Sequence, residues 1–97
     1  MILGRYNKTP AERKRYTIDY SEWLDTGELV SSVTFEVIPA GAGAVQVSTV
    51  TILTPATGVG FFIENGLVGV SYDLLVTIVT AGGQIKQDEI KISVKLE

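Results

Sequence analysis

Residues 68–80 alternate over the length of a long, strongly hydrophobic strand. Val70, Tyr72, Leu74, Val76 and Ile78 fall on one side of a period-two pleat, and Ser71, Asp73, Leu75, Thr77 and Val79 fall on the other. One side is apolar throughout and the other is mixed, which predicts a long strand with one face in a core and the other partly solvated. The same period marks further strands. Residues 15–20 put Tyr16, Ile18 and Tyr20 on one side, and residues 28–37 group Leu29, Ser31, Val33, Phe35 and Val37. Residues 45–53 alternate with one phase slip near Ser48-Thr49, as a bulge or a turn would produce. Residues 59–64 form a short strand. Residues 85–97 form the last, with Ile90, Ile92, Val94 and Leu96 inward and Glu89, Lys91, Ser93, Lys95 and Glu97 outward.

Turn chemistry separates these runs. Asn65-Gly66 is the strongest tight-turn signal, residues 81–84 form a second turn, and residues 54–58 form a third. Residues 39–44 are small and give a flexible connector that fits neither a phosphate loop nor a dinucleotide fingerprint. After residue 20 the alternation stops. Ser21 can cap a single helical turn, Gly27 can end it in a left-handed conformation, and Trp23 with Leu24 is expected to plug one end of the fold. About seven strands with almost no helical signal predict an antiparallel β-sandwich spanning residues 15–97, preceded by an N-terminal arm of residues 1–14.

Composition removes several kinds of chemistry. The 97 residues contain no cysteine, hence no disulfide or thiolate metal site, and no histidine, hence neither the commonest general base nor the commonest transition-metal ligand. Asp19, Glu22, Asp25 and Glu28 recur every three residues, but their spacing matches no calcium loop, and they read better as a polar rim around a turn. Nothing places a carboxylate pair in a cleft. The expectation is a protein without enzymatic activity, cofactor or metal. No secretory leader or apolar run of membrane-spanning length is visible, so a soluble chain with no membrane partner is expected.

Charge is unevenly distributed. The net charge is −3, yet residues 1–20 hold Arg5, Lys8, Arg13, Lys14 and Arg15 against two acids, a local balance of +3. Residues 4–15 are polar and contain Pro10, so they read as an extended or partly ordered arm with room for a short helical turn over residues 10–14. Its five cations would dock on an acidic surface of a partner, or lie against the acidic body of the chain itself. Nucleic acid is disfavoured as a partner because phosphate binding usually requires a basic domain. In contrast, the 26 residues from Ile38 to Ile63 include no charged side chain. Such a stretch is either covered by neighbouring subunits or kept wet by its Thr, Ser and Gln.

Two stretches bring a resemblance. Gly69-Val70-Ser71-Tyr72-Asp73-Leu74-Leu75-Val76, followed by Thr80-Ala81-Gly82-Gly83, resembles the G-x-x-Y-x-V strand and hairpin of immunoglobulin-like domains. That resemblance implies an immunoglobulin-like sandwich in which Tyr72 bonds back to the corner before its strand. The chain departs from antibody domains in lacking both cysteines and in placing Trp23 before the second strand. Residues 19–35, after Lys8-Thr9-Pro10-Ala11-Glu12, resemble small immunoglobulin-like structural proteins of tailed bacteriophages. This implies a virion protein, either a capsid decoration or a neck, tail or fibre component. Its expected partners are major capsid or tail and neck subunits and further copies of itself. The alternative is a carbohydrate or host-surface adhesion module with Trp23, Tyr20 or Phe61 as stacking platform.

Overall fold

The computed structural model describes residues 2–53 and 57–96, and among these it forms seven strands and no helix. In chain order they are β1 (Ile2–Lys8), β2 (Lys14–Asp19), β3 (Val30–Ile38), β4 (Gln46–Leu53), β5 (Gly58–Glu64), β6 (Ser71–Thr80) and β7 (Ile85–Val94). One sheet has the order β1-β7-β6-β3 and the other β2-β5-β4. Together they make the expected all-β sandwich, with extents of 43 × 20 × 20 Å. Only the long axis can hold the ten-residue strands, which span about 33 Å each.

The predicted organising stretch is β6, flanked by β7 on one side and β3 on the other. Its alternation becomes alternating burial: Tyr72, Leu74, Val76 and Ile78 are buried, and the residues between them are half-exposed. Ile90, Ile92 and Val94 of β7 extend that face, and Val59, Phe61 and Ile63 of β5 oppose it together with Tyr16 and Ile18 of β2. Burying each such aliphatic side chain stabilises the fold by about 1.5–3 kcal/mol. Phe61 joins the layers, with its ring 4.9 Å from that of Phe35 and 6.1 Å from that of Tyr16. Phe61 and Tyr20 are therefore core residues and cannot serve as stacking platforms.

The phase slip in β4 is a register shift between Ser48 and Thr51, where Thr49 adopts a φ of 51°. A second shift, between Val30 and Ser32, brings Val30 inward although its parity predicts the outer face. Asn65 and Gly66 both have positive φ, as their turn signal requires, but they lead from one sheet to the other. Residues 81–84 close the β6–β7 hairpin. Part of the turn expected at residues 54–58 lies outside the described residues.

Three expectations are corrected. The basic stretch does not run as an arm outside the sandwich: residues 2–8 are an edge strand, paired parallel to β7 from Ile2↔Glu89 to Lys8↔Val94. The backbone ladder holds this segment despite its polar side chains, which hid the strand period. No helical turn covers residues 10–14; a turn closed by Glu12 N–H donating to the Thr9 carbonyl at 3.2 Å stands there. Leu96, expected inward, is 76% exposed because β7 ends at Val94.

After β2, the Trp23 and Leu24 amides both donate to the Tyr20 carbonyl, at 2.9 and 3.0 Å. The Asp19 carboxylate, rather than Ser21, holds the start of this turn by accepting the Ser21 N–H at 2.9 Å. Gly27 has the expected left-handed φ of 84°. Leu24 packs on the core, whereas Trp23 is 36% exposed, so only one of the two closes the end of the sandwich.

Candidate functional site

The sandwich has two open sides. On one side stand β1 and β2, the edges of their respective sheets, brought together by the Tyr6 and Tyr16 rings at 5.0 Å. Edge strands leave a row of backbone donors and acceptors unpaired. The five cations expected to act together divide here. Lys8 is 2% exposed, and its Nζ donates to the Thr9 and Asn65 carbonyls at 2.7 and 2.6 Å. Desolvation lowers its pKa against the opposing pull of Glu12 and Glu64. Lys8 thus clamps the β1 end to the β5–β6 connection and is withdrawn from any partner.

Arg13 is also engaged within the chain. Its guanidinium lies 3.9 Å from the centre of the Phe62 ring, its Nε is 3.3 Å from Glu64 Oε1, and its Nη2 donates to Thr49 Oγ1 at 3.0 Å. Glu64 accepts a further bond from the Ser48 hydroxyl. That bond first, and Arg13 second, hold the Glu64 carboxyl below its ordinary pKa. Arg5, Lys14 and Arg15 remain exposed and make no ion pair with a described residue. These three, beside two open strand edges, form the accessible part of the predicted basic surface.

The opposite side is formed by β3 and β4, the other two edges. Its inward residues Val33, Phe35, Val37, Val47 and Ile52 are only half-buried, while their counterparts on β5 and β6 are sealed. Val50 and Ile38 are 44% exposed. β4 lies within the uncharged stretch and β3 adds one exposed acid, Glu36, so an incompletely covered core faces outward with little charge to keep it apart from a neighbour.

At the end of the sandwich where β2 finishes and β7 starts, a cavity of about 330 Å³ opens beside Trp23. Leu3 and Ile18 line it, together with Asp19, Tyr20, Glu22, Trp23, Lys86 and Asp88. Lys86 Nζ sits 3.2 Å from Asp88 Oδ1 and 5.5 Å from the centre of the Trp23 ring. The Tyr20 hydroxyl is buried without a hydrogen-bond partner, and desolvation, with Asp88 adding to it, raises its pKa strongly. Sequence reasoning singled out Trp23 but missed Lys86 and Asp88. The signal was there: both occupy the inward parity of β7 that Ile90, Ile92 and Val94 continue.

Three of the four carboxylates in the row serve the loops. Asp19 holds Ser21, Asp25 Oδ2 accepts Gln84 Nε2 at 3.2 Å, and Glu28 Oε2 accepts the Gly82 N–H at 3.3 Å. Among the described residues no group of acids could hold a metal ion. Tyr72 is buried on β6, and its hydroxyl accepts a hydrogen bond from the Leu67 amide at 3.1 Å, closing the corner that precedes the strand.

Residues 8–93 match the profile of a family described as podophage GP4 fiber-tail adaptor protein gp77. No curated protein matches the chain.

Proposed function

The chain belongs to this podophage fiber-tail adaptor family and is a structural component of the virion tail, and from that premise we propose that it joins fibre to tail as a non-enzymatic adaptor. The observation behind this reading is the contrast between its two open sides. The β1/β2 side offers Arg5, Lys14 and Arg15 next to unpaired strand edges, which suits an acidic neighbour that adds a strand or lies along it. The β3/β4 side offers a half-covered apolar core with Glu36 as the one charged residue on its two strands, which suits a sister copy, since identical surfaces meeting across a symmetry axis must not repel. An adaptor needs two unlike surfaces, and a capsid decoration role has no comparable support.

The strand order supports an immunoglobulin-like reading of the sandwich. β2, β5 and β4 make one sheet and β3, β6 and β7 belong to the other, with a corner tyrosine at the start of β6. β1 departs from the constant-type arrangement by joining β7 rather than the sheet of β2.

Deleting residues 1–14 would remove a strand and the Lys8 clamp, so charge reversal is the cleaner test. The variant Arg5→Glu/Lys14→Glu/Arg15→Glu is expected to fold, because all three side chains are exposed, and to be missing from assembled particles. Normal incorporation of this variant would reject the basic docking side. Sedimentation of the purified chain with and without Val50→Lys tests the other side: association that survives the new charge would reject self-packing through β4.

A further inference from the structure

We propose that the cavity beside Trp23 takes an arginine side chain presented by a basic segment of a neighbouring tail protein. The inference rests on the adaptor reading above but concerns a surface that reading does not use. Asp88 is engaged by Lys86, and the lining adds the carboxylates of Asp19 and Glu22, so the cavity favours a cation. Its volume, about 330 Å³, is at the lower end for a ligand site and ample for one side chain.

The lining also selects the form of the cation. Trp23 is partly exposed and supplies a π face. Lys86, 5.5 Å from that ring and 3.2 Å from Asp88, shows that ring and carboxylate already accommodate positive charge. A planar guanidinium can stack on an indole while its N–H donors point outward in a fixed fork, whereas an ammonium also donates but has no planar face to stack. The acceptors for those donors are on hand. Asp19 is fixed at the rim by the Ser21 amide, and Glu22 is exposed beside it. Tyr20 also lines the cavity; it is 2% exposed and keeps its hydroxyl oxygen buried with no hydrogen-bond partner. Buried polar atoms are rarely left so, and an entering N–H would satisfy this one.

Trp23 is the only tryptophan in the chain, so its fluorescence reports on the cavity directly. The purified protein is titrated with a tetrapeptide containing two arginines, and with its citrulline counterpart, which keeps the shape and lacks the charge. A saturable change with the arginine peptide, weakened by salt and absent with citrulline, is expected. Asp19→Asn/Glu22→Gln should weaken binding by about tenfold or more. Tyr20→Phe, which preserves the packed ring, should weaken it severalfold with the fold intact by circular dichroism. No response at millimolar arginine peptide, an equal response to citrulline, or a response to neutral saccharides alone would overturn the proposal. Because the titration needs no particle, its failure leaves the incorporation test of the β1/β2 side standing, and the reverse holds too.

Discussion

The hydroxyl of Tyr72 and the backbone amide of Leu67 are joined by a 3.1 Å hydrogen bond that ties β6 to the chain segment arriving from the other sheet. Tyr72 is 2% exposed, so the Leu67 amide has little access to a substitute partner at that oxygen. Tyr72→Phe keeps the ring and removes the acceptor. It is expected to lower stability by about 1–2 kcal/mol, read as a lower urea midpoint with an unchanged slope.

Gly66 and Gly69 share a positive φ but differ in their surroundings. A Cβ on Gly66 would meet Val94 Cγ2 at 2.7 Å and Val45 Cγ1 at 2.9 Å, whereas one on Gly69 would meet nothing within 4 Å. Gly69→Ala should therefore cost only the backbone term, about 1 kcal/mol, and Gly66→Ala clearly more, about 2–4 kcal/mol. Denaturation of the two variants side by side checks the ordering, and equal costs would show that the packing around Gly66 yields.

On the alkaline side the tyrosines dominate. Desolvation holds the Tyr20 and Tyr16 hydroxyls above their ordinary pKa of 10.0, so the folded state keeps protons that the unfolded chain releases. Their contribution is intact below pH 10.0 and is lost as pH climbs beyond it. Lys8, whose pKa burial lowers, acts in the opposite sense as pH approaches 10.5. Tyr20→Phe should flatten the alkaline loss of stability. At pH 7 it should leave stability unchanged or higher by up to about 1 kcal/mol, since it removes an unpartnered hydroxyl. Urea midpoints at pH 7 and at pH above 10 test both parts.

Glu64 governs part of the acid limb. Its carboxyl is held below the ordinary 4.5 by the Ser48 hydroxyl and by Arg13, so its contribution is present above pH 4.5 and disappears as pH falls through the lower folded value. Glu64→Gln should reduce the steepness of acid destabilisation. Arg13→Gln should do so less, because Ser48 remains. Thermal melts between pH 2 and pH 6 make the comparison.

The strand period was legible wherever one face meets the core. β2 and β6 alternate cleanly, as does β7 from Ile90 onward, because their inward residues there are large and apolar, and even the irregularity of β4 showed as a slip at Ser48-Thr49. β1 was not legible. Its core-side positions include Gly4 and Lys8, and its parallel partner β7 lies at the far end of the sequence, so neither composition nor neighbouring residues announced a strand. Trp23 was misjudged for the opposite reason. Hydrophobicity suggested burial, but the turn fixed by Tyr20 turns Leu24 inward and leaves the indole beside a cavity whose other walls come from β1, β2 and β7. Three-dimensional neighbours of that kind leave only a faint trace in a linear chain, here Lys86 and Asp88 at an apolar parity.

The parallel course of β1 beside β7 has a mechanical consequence. Ile2 and Val94 stand at opposite poles of their shared ladder. Tension drawn between those poles slides the two strands past each other, so their rungs resist together instead of peeling apart one at a time. Pulled along its length, the molecule meets force with its stiffest geometry.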